Sequence, residues 1–117
     1  MTKNKIVLIP FPFDDLSGIK ARPALCLTDP IGPHEHIVFA FITSRVPADL
    51  LETDLVLEPS LTNFGATGLR VASTIRIHRL VTLTTSFIKR ELGELPTSVH
   101  GQISAKLGKL FSDQSDK

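Results

Sequence analysis

The chain has 117 residues, a single cysteine, no tryptophan or tyrosine, and a formal charge of +1 at pH 7. That length fits one domain, residues 1–117, able to bury roughly two-thirds of its unfolded surface with no disulfide or metal staple. The lone Cys26 excludes an intramolecular disulfide, and the near-neutral total gives no global argument for nucleic acid.

No apolar stretch reaches the ~20 residues needed to cross a bilayer. Pro10, Pro12, Asp14 and Asp15 interrupt the first apolar run too early for a signal peptide. A soluble, cytoplasmic protein without membrane partners is expected. Charge is unevenly spread. Between Arg45 and Arg70 the only charges are Asp49, Glu52, Asp54 and Glu58, all acidic. From Arg70 to Arg90 they are Arg70, Arg76, Arg79, Lys89 and Arg90, all basic. If the basic block folds beside Lys20 and Arg22, a local positive surface results; otherwise it is a solvated face balanced by the acidic block.

Ile6 to Phe13 reads as the first strand, with Val7, Ile9, Phe11 and Phe13 on one face. Pro10 and Pro12 cannot donate to a ladder, so the strand should leave the sheet or run along an edge there. Asp14 to Pro23 reads as a loop. Gly18 gives it conformational freedom, and Pro23 pushes Arg22 towards an extended backbone. Taken alone, Arg22 reads as a surface arginine paired with Asp14 or Asp15, or as a binding group fixed where a loop meets a strand. Ala24 to Thr28 is a short second strand containing Cys26, a small buried hydrophobe.

Asp29-Pro30-Ile31-Gly32-Pro33 is a turn. His34 and His36 follow it, without the Cys or carboxylate neighbours that a metal site needs, so no metal is assigned. Ile37 to Ile42 is apolar on both faces, which describes a central strand, and it emerges at Thr43-Ser44-Arg45. An acidic loop leads to a short strand, Asp54 to Glu58, with Leu55 and Leu57 inward. Pro59 to Gly68 is a loop.

Leu69 to His78 alternates as a half-buried antiparallel strand. Leu69, Val71, Ser73, Ile75 and Ile77 face the core; Arg70, Ala72, Thr74, Arg76 and His78 face outward. Leu80 to Leu83 breaks the alternation and reads as a further strand after a bend. Thr84 to Gly93 reads as a helical turn. After Pro96, Val99, Ile103, Leu107, Leu110 and Phe111 form the apolar stripe of a helix. Gly101 and Gly108 weaken that helix unless they allow it to approach the sheet closely. Ser112 to Lys117 is a frayed polar tail. Short strands with Gly/Pro turns and one terminal helix predict a mainly β, α+β fold: a small antiparallel barrel with a C-terminal helix.

Ile6-Val7-Leu8-Ile9-Pro10-Phe11-Pro12-Phe13, Lys20-Ala21-Arg22-Pro23-Ala24-Leu25, Ile42-Thr43-Ser44, Ser73-Thr74-Ile75-Arg76 and Leu92-Gly93-Glu94-Leu95 occur in this order. The set resembles the MazF/PemK family of toxins from bacterial type II toxin–antitoxin systems, over about Ile6 to Phe111. The resemblance implies a plasmid-maintenance-toxin barrel, a homodimer, and an endoribonuclease that cuts single-stranded RNA, including mRNA, at short sequences. It implies work without metal or other cofactor, and an antitoxin partner whose acidic or disordered tail wraps the dimer. Arg22 matches the arginine of the family's Arg-Pro motif and Thr43 the threonine of its Ile-Thr-Ser motif, the two residues tied to catalysis. His78 stands where an acidic residue is frequent, and becomes the candidate acid or base. Lys20, Ser44 and Arg76 are the expected RNA contacts, with the residues around Gly18 forming a lid hinged at Arg22. Asn4-Lys5 replaces the Gly-Asp that often precedes the first strand. Two alternatives share this fold: a catalytically silent RNA- or partner-binding barrel, and a gyrase-inhibitor type, which a C-terminal tryptophan accompanies and this chain lacks.

Overall fold

The computed structural model describes residues 2–11 and 20–112. Pro12, Phe13, the loop from Asp14 to Ile19 with its expected lid, and the tail from residue 113 lie outside the described residues. Six strands form one antiparallel sheet: β1 Lys5–Phe11, β2 Lys20–Cys26, β3 His36–Thr43, β4 Asp54–Leu57, β5 Ser73–Thr84 and β6 Arg90–Glu94. Their order across the sheet is β4-β5-β3-β2-β1-β6. One helix, α1 His100–Leu110, follows a short 3-10 turn at Thr97–Val99.

Period-two alternation in β1 to β3 sorts apolar side chains onto two faces, and both are buried. On one face Ile6, Leu25, Ala40, Ile42, Leu55, Leu57, Ile75 and Ile77 pack with Val99 and Ile103 at the helix. On the other, Val7, Ile9, Phe11, Ala24, Cys26, Ile37 and Phe39 form a second cluster, with Phe41, Val81, Leu83 and Ile88 beside it. The central position expected for Ile37 to Ile42 is observed, since β3 lies between β2 and β5 with both faces covered.

The sheet curls, and among the described residues its two edges are brought together by backbone contact. After β4, a 3-10 turn at Phe64–Thr67 reaches β6. Gly68, at φ +75°, presses against the Leu92 carbonyl; Gly93 presses against Ala66 and Thr67. A Cβ at either glycine would lie 2.1 Å from a backbone oxygen. This explains Gly93 in the Leu92-Gly93-Glu94-Leu95 segment.

Several boundaries differ from expectation for one common reason: a paired neighbour extends or creates a strand that local pattern does not mark. β2 starts at Lys20, not Ala24, because Ala21 pairs with Pro10 and Lys20 with Phe11. Arg22 is therefore a strand residue, not a loop hinge. β1 is interior to the sheet, yet its ladder to β6 ends at Leu8, so Pro10 lies beyond that partner, as a residue without an N–H requires. β5 begins at Ser73, and Leu69 to Ala72 is irregular, leaving Val71 about half exposed. Leu80 to Leu83 is the continuation of β5, not a separate strand. The bend is a bulge: Ala40 pairs with Leu80 but Phe41 with Arg76, so Ile77, His78 and Arg79 have no partner on β3. Thr84 to Gly93 holds a 3-10 turn at Thr85–Phe87, and then the sixth strand, which pairs with β1. Finally, Gly101 and Gly108 face open space; the close approach expected of them occurs instead at Gly68 and Gly93.

Candidate active site

Paired residues on neighbouring antiparallel strands point to the same side of a sheet. The ladders therefore define rows of side chains. Val7 pairs with Ala24, Ala24 with Phe41, Phe41 with Arg76, and Arg76 with Asp54. This row crosses five strands. Two residues further along on the same face, Ile9 pairs with Arg22, Thr43 with Thr74, and Thr74 with Val56. The β2–β3 ladder pairs Ala24 with Phe41 and Cys26 with Phe39, so Arg22, two residues before Ala24, and Thr43, two residues after Phe41, share the face that carries Arg76. Lys20, opposite Phe11, continues the same side of β2.

Each position has a local cause. The β2–β3 ladder begins only at Ala24, directly after Pro23, so the ring that cannot donate sits where no donor is needed, and Arg22 is exposed beyond it. Thr43 is the last residue of β3 and half-buried, and Ser44 and Arg45 beyond it are exposed. Thr74 lies on the Arg76 face, as the alternation suggested, but that face is covered there and Thr74 is fully buried. Its hydroxyl donates to the Arg45 carbonyl at 2.8 Å and ties down the chain leaving Thr43.

Arg76 is held by an acid. Its Nε–H donates to Asp54 Oδ1 at 2.8 Å, and the Leu51 N–H donates to Asp54 Oδ2 at 2.9 Å. The Asp54 side chain is fully enclosed, whereas that of Arg76 keeps 22 % exposure. The Arg79 guanidinium lies over the Phe41 ring, 5.4 Å from its centroid, and Phe11 meets the same ring edge-on at 5.1 Å. Phe11 thus packs against Phe41 within the fold.

His78 lies in the bulge. Its Nδ1 is 2.7 Å from the Thr53 hydroxyl, and the Ile77 N–H donates to the Thr53 carbonyl at 2.9 Å. Burial lowers its pKa; Arg76 adds to this, Asp54 opposes it, and Arg79 adds a smaller push downward. The imidazole is neutral at pH 7. Along β5 it stands four residues beyond Thr74, about 13 Å of strand, away from the Thr43–Thr74 pair. The structure therefore brings together Lys20, Arg22, Thr43 and Arg76 on one side of the sheet, with Ser44 at its rim and His78 to one flank.

The basic block is divided. Arg76 and Arg79 join the Arg22 side, while Arg90 pairs with Leu8 and so points to the opposite face. Asp54, Thr74 and Thr53 were not singled out from sequence. A threonine in a strand and an aspartate at a strand start carry no local mark, because their partners lie 22 to 29 residues away. His34 and His36 are exposed on their turn, and no cluster of three or more potential metal-ligating side chains occurs among the described residues. No helix among the described residues is long and apolar enough to cross a membrane.

Comparison with known proteins identifies the fold and the family. The chain is similar over its length to the Mycobacterium tuberculosis toxin MazF-mt6, at 24 % identity and a TM-score of 0.70, covering 92 % of this chain and 95 % of that one. An endoribonuclease from a mycobacterial species, solved with its cognate antitoxin, is similar at 15 % identity and a TM-score of 0.66, covering 93 % and 92 %. MazF from Deinococcus radiodurans is similar at 20 % identity and a TM-score of 0.65, covering 94 % of both chains. The comparison with curated proteins finds no match. These likenesses establish the fold. The model of the PemK-like, MazF-like toxins matches residues 2–111, nearly the whole chain, and on that match the protein belongs to this family of type II toxin–antitoxin toxins.

Proposed function

We propose that this toxin is a metal-independent endoribonuclease that cuts single-stranded RNA, mRNA among it, at short sequences. The observation that carries the reading is the shared sheet face. A guanidinium (Arg22) and a hydroxyl (Thr43) lie on one face of the sheet at the ends of neighbouring ladders, with a second guanidinium (Arg76) on the same face.

The substrate's own 2′-hydroxyl attacks the adjacent phosphorus. The bond to the 5′-oxygen breaks, leaving a 2′,3′-cyclic phosphate and a 5′-hydroxyl. DNA lacks the attacking group and is not cut. Negative charge grows on the phosphoryl oxygens, where a planar, permanently charged, bidentate donor is suited to receive it. Arg22 takes this role. Thr43 holds a phosphoryl oxygen or orients the 2′-hydroxyl. The 2′-hydroxyl proton is lost and the departing 5′-oxygen gains one; His78 is the candidate for one of these transfers, as acid or base. Lys20, Ser44 and Arg76 contact the backbone. The protein acts as a cytoplasmic homodimer, and a cognate antitoxin neutralises it; the similar mycobacterial endoribonuclease solved with its cognate antitoxin supports the antitoxin partner.

The test is incubation of purified protein with a long single-stranded RNA in excess chelator, followed by mapping of the cut ends. Cyclic-phosphate ends are expected. Arg22→Ala is expected to lower the rate by about 10²–10³ while leaving the protein folded. Absence of cleavage, or its loss on adding chelator, rejects the mechanism. The Thr53 partner of His78 and its distance along β5 favour one second reading, a silent member that binds RNA without cutting it. Tight binding at low salt with no product would support that reading.

A further inference from the structure

We infer that Asp54 is a positioning residue for substrate binding: it touches no RNA itself and acts by fixing the guanidinium of Arg76. The inference rests on the reading above that the Arg22–Thr43–Arg76 side of the sheet receives the RNA backbone.

The pair is one-sided. Asp54 is enclosed, with no side-chain exposure, while Arg76 reaches the surface. A sealed carboxylate cannot meet a polyanion, so any influence on binding passes through its partner. Both of its oxygens are engaged, Oδ2 by the Leu51 N–H and Oδ1 by Arg76 Nε. The acceptor is thus anchored to the loop entering β4 and to the β4–β5 pairing of Asp54 with Arg76. Bonding through Nε fixes the plane of the guanidinium. Neither terminal nitrogen is used in that bond, so the planar group keeps donors for a phosphate. A free arginine would surrender rotamer freedom on binding; this one has already done so.

The sign of the effect separates this role from simple charge. Removing an acid near a polyanion site should tighten binding through the weaker local negative potential. Removing a positioning acid should loosen it.

The experiment measures binding of a single-stranded RNA and of the single-stranded DNA of the same sequence, which lacks the 2′-hydroxyl, across a salt series. The parent, Asp54→Asn, Arg76→Ala, Arg76→Lys and the Asp54→Asn/Arg76→Ala double variant are compared after circular dichroism shows each is folded. For Asp54→Asn we expect binding to weaken about fivefold to tenfold and the slope of log K against log salt to flatten by up to about 0.7, one phosphate contact. In the Arg76→Ala background the same change should have no further effect. Arg76→Lys, which keeps the charge but not the Nε bond to Asp54, should behave like Arg76→Ala. Unchanged or tighter binding by Asp54→Asn overturns the inference while leaving the function intact. So does parental binding by Arg76→Lys, which decides the matter if Asp54→Asn fails to fold. A parent that binds neither strand overturns both the function and the inference.

Discussion

Burial and two neighbouring guanidiniums make the bulge of β5 a poor place for another positive charge. His78 is pressed towards its neutral form there, by desolvation first and then by Arg76, against a pull from Asp54 and with a smaller push from Arg79. The folded pKa lies below the ordinary value of about 6.5. Between the two values the unfolded chain binds a proton that the folded imidazole refuses, so stability rises with pH through that window and falls on acidification. Between pH 7 and pH 5 the melting temperature of the parent should fall further than that of His78→Gln, as thermal scans across pH would register. Parallel curves would exclude His78 as the group responsible. If His78 is also the base, the acid limb of kcat/KM should vanish in the same variant. Arg22, Thr43 and Arg76 could be picked out from sequence because they lie within short recognisable segments. Asp54 and Thr74 could not, because what matters about them is a partner supplied by β5 or by the chain leaving β3.

Glycines that look alike in a sequence do different work in the elements that contain them. Gly93 in β6 and Gly68 after the 3-10 turn allow two backbones to touch. Gly93→Ala must displace a carbonyl and should destabilise by about 1–3 kcal/mol or more. Gly101 and Gly108 in α1 have nothing near a would-be Cβ. Gly101→Ala and Gly108→Ala should each stabilise by up to about 1 kcal/mol, through helix propensity and a less flexible unfolded chain. Urea titration of the three variants checks all three signs. A destabilised Gly108→Ala would mean that the helix packs more closely than described. The bulge has a similar logic: by removing Ile77, His78 and Arg79 from the β3 ladder it turns β5 and swings Arg79 over Phe41. The break in alternation after His78 was readable. That the chain continues in the same strand was not, since local pattern is identical for one bent strand and for two.

Across the whole molecule, the sheet separates two apolar clusters, and only one of them meets the helix. Cys26 sits in the other, fully buried, with its thiol pushed up to about 12 by burial first and by Glu91 second. Thiolate is the reactive species, so Cys26 should resist iodoacetamide in the native protein and react only when the sheet opens. Its labelling rate in rising urea should therefore track global unfolding. Rapid labelling in buffer would show that β2 opens locally. The proposed homodimer should give a light-scattering mass near twice 12.8 kDa. The formal charge of +1 says little about RNA, because the relevant cations are sorted by the sheet: Lys20, Arg22 and Arg76 to one side, Arg90 to the other.

Composition and local order were enough to specify a β-rich fold, a central strand at Ile37 to Ile42, a terminal helix with its apolar stripe, and the segments that carry family membership. These follow from periodicities of two and 3.6 residues and from proline and glycine chemistry, all of which act over a few positions. Tertiary structure decided the rest. It extended β2 to include Arg22, created β6 from a segment without a strand signal, joined Leu80 to Leu83 onto β5, and seated Arg76 on a buried carboxylate. Each of these depends on which strand lies alongside and in what register, and register is set by contacts between residues far apart in the chain, where local pattern carries no information.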